Sequence, residues 1–182
     1  TIQDAVSFNM GANLLSGAGG LTMTGTSALT LSRSTDLAVV PELTGAYSLT
    51  GGTITLTFTA GGTKTCVVRG ATYYNLTCGT AGTAKPSYYD LASVTNVTNV
   101  LTIADNPAIM INNATLTVGD SLVYSSTSSS TLANNITAGS LSLSAGTIVD
   151  NGKTIYLNGA LGWNRTGGTF TTTGTVSFIG TI

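Results

Sequence analysis

The residues of this sequence that could do chemistry are few and fall into three groups. Cys66 and Cys78 lie twelve positions apart. In an oxidising compartment a disulfide between them would close a short loop and contribute about 3 kcal/mol; the competing reading is a pair of buried thiols. Five asparagines, Asn75, Asn96, Asn113, Asn135 and Asn164, stand in Asn-x-Ser/Thr sequons and are possible glycosylation sites. Ser and Thr are so abundant here that about four such matches arise by chance. The third group is Asp90, Asp105, Asp120, Asn135 and Asp150, spaced by fifteen. Stacked carboxylates would suit Ca²⁺, yet no second acidic column supplies further ligands. Asp is a good turn residue, so the column reads as structural and no metal is expected.

Catalysis finds little to work with. The chain has no His, which excludes a Ser-His-Asp triad and any His-based metal site. Glu42 is the only Glu, and Asp4 and Asp36 are scattered, so no facing carboxylate pair suggests glycoside hydrolysis. No phosphate-binding glycine loop with its Lys appears. The expectation is a protein that is not an enzyme, with no catalytic residue and no cofactor. Tyr73, Tyr74, Tyr88 and Tyr89 could contact carbohydrate or another surface, and could as readily be core. Thr-x-Thr pairs (Thr22/Thr24, Thr55/Thr57, Thr115/Thr117) raise ice binding. The partner column such an array needs breaks at Gly70, Lys85 and Val100.

These residues must be positioned by strands. Val and Thr are frequent, and the alternation Ile54-Thr55-Leu56-Thr57-Phe58-Thr59 puts one face in and one out. Every fifteenth residue from Ala28 is apolar: Leu43, Phe58, Tyr73, Tyr88, Ile103, Val118, Ala133, Ile148, Trp163, Phe178. A fixed period marks a repeat architecture. Most fifteens after residue 90 hold two strand-like runs, such as Ala108 to Ile111 and Ala114 to Val118, separated by Asn, Asp or Gly turns. The expected fold is all-β: a β-solenoid-like stack of about fifteen residues per coil, twelve coils long and about 58 Å from end to end. Ile103 would then touch Val118 and Tyr88. The alternative is a β-sandwich of pilin type with strand donation, to which Asn158-Gly159 lends a hairpin signal. The domain is single, 1–182, with 61–90 an irregular or decorated stretch of the same stack; the alternative for 61–90 is a separate hairpin stapled by a disulfide.

Composition bounds the partners. Of 182 residues only 7% are charged, the net charge is −1 and 42% are hydrophobic. There is no basic footprint for nucleic acid. Apolar runs of about four residues are far too short for membrane insertion. The chain opens at Thr1 and its first Met is Met10, which suggests a processed or excised chain. Scarce charge points to an extracellular or cell-surface location.

Thr166-Gly-Gly-Thr169 through Thr175-Val-Ser-Phe-Ile-Gly180, and Ala71-Thr-Tyr-Tyr-Asn-Leu-Thr77, resemble the Gly/Thr/Asn-rich repeats of secreted prokaryotic surface adhesins and extracellular filament proteins. The resemblance is clearest over 100–182. It implies a β-solenoid scaffold and carries over no functional residue. Both termini read as strands without a polar cap, and such ends invite heterologous contacts that propagate. The expected role is a structural subunit of an extracellular filament, its partner copies of itself, assembled head to tail or by terminal strand exchange. The alternative is an excised repeat module of a surface adhesin that binds carbohydrate (surface glycans) or another surface.

Overall fold

The computed structural model describes residues 1–182 except 12, 34, 59–63, 80–86, 95, 105–107, 113 and 181–182, and gives only the backbone of 58, 87, 108, 109, 111 and 161. Every described strand pairs in parallel, and no described residue is helical. The chain winds as a β-solenoid of about 7 turns, roughly 22 residues per turn. Two strands, β1 (Ser7–Asn9) and β2 (Ser16–Gly17), precede the turns. The first turn holds β3 (Leu21–Met23), β4 (Ala28–Arg33), β5 (Ala38–Val40) and β6 (Glu42–Leu43). The second holds β7 (Tyr47–Leu49), β8 (Thr53–Phe58) and β9 (Lys64–Val68). The third holds β10 (Thr72–Tyr73), β11 (Asn75–Cys78) and β12 (Ser87–Asp90), and the fourth β13 (Asn96–Val97), β14 (Val100–Ile103) and β15 (Ala108–Ile111). In the last three turns the first two strands fuse: β16 (Leu116–Tyr124) with β17 (Ser129–Thr131), β18 (Ile136–Leu143) with β19 (Thr147–Val149), and β20 (Thr154–Arg165) with β21 (Thr169–Thr171). β22 (Thr175–Phe178) follows.

Three strands per turn give three faces. Face 1 runs β3, β7, β10, β13, the first halves of β16, β18 and β20, then β22. Face 2 is an unbroken ladder of β1, β4, β8, β11, β14 and the second halves of β16, β18 and β20. Face 3 carries β2 with β6, then β5, β9, β12 and β15, then β17, β19 and β21. Strand alternation sends one side of each face inward, and parallel register stacks like on like. On face 2 the inward column Leu29, Ile54, Leu76, Leu101, Leu122, Leu141 is fully buried. Beside it run Leu31, Leu56, Cys78, Ile103, Tyr124 and Leu143. The outward column between them reads Thr30, Thr55, Thr77, Thr102, Val123, Ser142, Asn164. The strands of faces 1 and 2 expose only two charges, Asp120 at the bend of β16 and Arg165 at the end of β20.

The fused strands bend where faces 1 and 2 meet. Register shifts there between Val118 and Ser121 and between Ala138 and Ser140. Glycine makes the bend possible: a Cβ on Gly139 would lie 2.3 Å from the Asp120 carbonyl oxygen, closer than atoms can pack.

The β-solenoid is as expected; its period is not. Stacked partners are separated by 18 residues (Ser129 and Thr147) to 28 (Ala38 and Cys66), not fifteen. About seven turns at strand spacing give a rod about 34 Å long, in place of twelve coils and 58 Å. Ile103 stacks between Cys78 and Tyr124, not between Tyr88 and Val118. The physical reason is aliasing. With three strands in roughly 22 residues, a step of fifteen advances about two strands, or two thirds of a turn. The fifteenth-residue column therefore hops between inward positions of different faces: Ile103 on face 2, Val118 on face 1, Ile148 on face 3, Trp163 on face 2, Phe178 on face 1. It slips at Tyr88, half-exposed, and Ala133, exposed. No antiparallel sandwich forms, and Asn158-Gly159 lies inside β20 rather than in a hairpin turn. The described parts of 61–90 supply β9 to β12 and sit in the same ladders as their neighbours.

Candidate functional site

The two ends of the stack are where the core meets solvent. At the first coil Val6, Phe8 and Leu14 are exposed, and Phe8 sits in register above Leu29. A cavity of about 420 Å³ opens there between Ile2, Val6, Phe8, Leu21, Leu29 and Leu43. At the last coil Phe178 is 61% and Ile179 58% exposed. Trp163 and Phe170 meet edge to face with ring centroids 4.7 Å apart, closing part of that end.

Cys66 and Cys78 are free and buried. They enter the core from faces 3 and 2, so strand alternation explains their burial and no bond joins them. Burial pushes the Cys66 thiol up to about 12, with Arg33 pulling weakly the other way. It pushes Cys78 well above the ordinary thiol range, and the neighbouring Cys66 adds to the rise. Such thiols are poor nucleophiles. Tyr73 and Tyr89 are core residues, their phenols raised chiefly by burial. Tyr74 is half-exposed at the corner between faces 1 and 2 and Tyr88 on face 3, so the four tyrosines do not form one aromatic patch.

The five sequons scatter. Asn75 and Asn135 sit at corners, Asn96 on face 1, and Asn164 is exposed on face 2; Asn113 lies outside the described residues. The Asn75 side chain is occupied. Its Nδ2 donates to the Gly52 carbonyl at 3.0 Å, and its Oδ1 accepts from Asn99 Nδ2 at 2.9 Å and Val100 N–H at 3.2 Å. Asn135 Oδ1 accepts the Thr154 N–H at 2.9 Å. Buried Asn112 donates to the Asn134 carbonyl at 2.9 Å and accepts from Ala133 N–H at 3.0 Å. Side-chain amides at corners thus tie one coil to the next, which the sequence hinted at only by placing Asn and Asp between strands.

The described acidic residues do not form a column. Asp90 ends β12 on face 3, Asp120 is at the bend between faces 1 and 2, Asp150 follows β19, and Asp105 lies outside the described residues. Asp150 is buried. Its Oδ1 accepts from Thr173 and Gly174 N–H, both at 2.8 Å, and from Gly152 N–H at 3.2 Å. Burial works to raise this carboxyl, but the Thr172 hydroxyl and those backbone donors outweigh it and hold it below the usual carboxylate range. Glu42 pairs with Arg33 at 3.0 Å. Among the described residues no group of three or more His, Cys, Asp or Glu could hold a metal, and no helix is long and apolar enough to cross a membrane.

In the true register the hydroxyls of face 2 align better than the Thr-x-Thr pairs suggest. Thr30, Thr55, Thr77 and Thr102 share one column, and Ser32 bonds Thr57 in the next. What the arrangement offers chemically is hydrogen-bonding edges, apolar ends and faces with little charge. Comparison with known proteins gives no match to a family model, a curated protein or a solved structure.

Proposed function

We propose that the chain is a structural subunit of an extracellular filament in which copies stack head to tail and continue one another's coils. The observation that supports this reading is a rung-by-rung match between the two open ends. The last coil presents one free strand edge on each face: the end of β20, β21 and β22. The first coil presents β1, β2 and the Ile2 bridge on the same three faces. Trp163 continues the column of Leu122 and Leu141, and Phe8 begins that column above Leu29. Phe178 continues Leu157, and Ile2 precedes Met23. A second copy's Phe8 would lie over Trp163, and its Ile2 over Phe178.

Covering a large apolar side chain stabilises by about 1.5–3 kcal/mol. Val6, Phe8, Leu14, Phe178 and Ile179 are 50–61% exposed, so covering what remains open would supply about 4–8 kcal/mol in all, within the range of the cost of association. Assembly should then depend steeply on concentration. Electron microscopy of the purified chain across a concentration series tests the reading. Rods of constant width and many times about 34 Å long, abolished by Phe178→Asp, are expected. Single particles at every concentration would overturn it.

A further inference from the structure

Face 1 is broken at one place. β7 is hydrogen-bonded to β3, and β10 to β13, but no ladder bond joins β7 to β10, although face 2 continues unbroken behind them. The cause is a mismatch at the corner. Thr50, Gly51 and Gly52 connect β7 to β8, whereas Tyr74 alone connects β10 to β11. Face 2 locks Thr53 to Asn75 all the same. The surplus residues of the earlier coil cannot follow the shorter path of the later one, and the two face 1 strands part.

The gap is a groove of about 450 Å³ lined by Tyr47, Ser48, Thr50, Thr72, Tyr74 and Thr98. Its volume falls within the range of small-ligand sites, about 300–1,000 Å³. Three properties define what it can take. The facing edges of β7 and β10 offer main-chain donors and acceptors that elsewhere on the face are spent on the ladder. Four hydroxyl side chains, Ser48, Thr50, Thr72 and Thr98, line it, together with the half-exposed ring of Tyr74. No lining residue is charged; Arg69 stands over the Tyr47 ring, 5.8 Å from its centroid.

We propose that this groove is a binding site for a neutral saccharide, with the apolar face of a sugar ring on Tyr74 and its hydroxyls bonded to the Ser and Thr side chains and the open strand edges. A sugar suits the site because it is both apolar on one face and rich in donors and acceptors at its rim, and it needs no counter-charge. The site is independent of end-to-end assembly, since it lies on the side of the rod.

Saturation-transfer NMR on the full chain tests this with cellobiose, maltose and N,N′-diacetylchitobiose as probes. The method observes the sugar, so it reads single chains and filaments alike. At least one probe should receive transfer, and Tyr74→Ala should weaken its binding at least tenfold. Tyr156→Ala should leave binding unchanged, because Tyr156 stands on face 1 in the column of Thr72 but far along the unbroken ladder. Thr72→Arg, an exposed change that fills the groove without touching the core, should abolish it. No transfer to any probe would overturn the proposal, as would binding indifferent to both Tyr74→Ala and Thr72→Arg. Either failure leaves the filament reading standing.

Discussion

Leu101→Ala is the sharpest test of the stack. Leu101 is fully buried at the fourth turn, with Leu76 on one side and Leu122 on the other in the same column. Core Leu→Ala changes cost about 2–5 kcal/mol, and the spread reflects how far the surroundings collapse into the cavity. Here collapse is opposed. The neighbouring rungs are held apart by ladder hydrogen bonds at about 4.8 Å, so Leu76 and Leu122 cannot close the gap without breaking them. The loss should therefore lie in the upper half of that range, about 4 kcal/mol. The control is the next residue, Thr102, which points outward and is half-exposed; Thr102→Ala should cost under about 0.5 kcal/mol. Urea unfolding followed by circular dichroism gives both values. In a one-dimensional stack a mid-rod lesion should also lower the apparent m-value, as the two halves lose cooperativity. A Leu101→Ala cost below about 1 kcal/mol, or a Thr102→Ala cost that exceeds it, would refute the inward column and the three-faced register with it.

Three further outcomes follow from the geometry. Asp150 has a folded carboxyl held below its ordinary range, so its stabilising effect is complete above the unfolded value and is lost as pH falls through the folded one. Melting followed from pH 7 to pH 2 should fall below about pH 4, and Asp150→Ala should flatten that part of the curve while lowering stability at neutral pH by about 1–3 kcal/mol. Gly139→Ala should destabilise by about 1–3 kcal/mol, because its Cβ meets the Asp120 carbonyl, whereas Gly19→Ala, with open space around it, should be neutral or slightly stabilising in the same urea assay. Cys66 and Cys78 should resist iodoacetamide in the folded chain and react fully in urea without reductant; failure to alkylate in urea would mean a disulfide the structure does not contain.

Much of the fold is legible in the residues. Runs such as Ala108 to Ile111 and Thr175 to Phe178 are strands with those bounds, and the alternation Ile54-Thr55-Leu56-Thr57 gives the right faces. The period is not legible, because two quantities combine in it: strands per residue and strands per turn. Alternation and turn residues report the first. The second depends on corner angles, set by backbone contacts such as those of Gly139 and Gly159 with the coil beneath. A two-sided coil of fifteen and a three-sided coil of roughly 22 contain strands at almost the same density. The site residues divide similarly. Asn75 and Asp150 are visible as turn formers, but their use as ties between coils, 23 to 25 residues apart, follows only from the register. The groove is invisible in sequence, since it arises from the difference between the Thr50-Gly51-Gly52 corner and the Tyr74 corner.

The scarcity of charge takes on a different meaning once the register is known. In a parallel stack each outward column repeats at about 4.8 Å, and like charges on adjacent rungs repel by about 0.9 kcal/mol even in water. A column of seven like charges would pay that penalty at every step, while hydroxyls and amides stack without it and can bond along the column, as Ser32 and Thr57 do. Where charges occur they avoid the problem: Arg33 turns inward to meet Glu42, Asp150 is enclosed by backbone donors, and Asp120 sits at a bend. The Thr- and Ser-rich composition is thus a requirement of stacking. Its consequence reaches the ends, because native edges are usually protected from one another by charge; on faces 1 and 2 the edge strands of the first coil carry none and those of the last coil carry Arg165 alone. The same constraint that lets the coils stack within one chain leaves those edges little charge with which to hold another strand off.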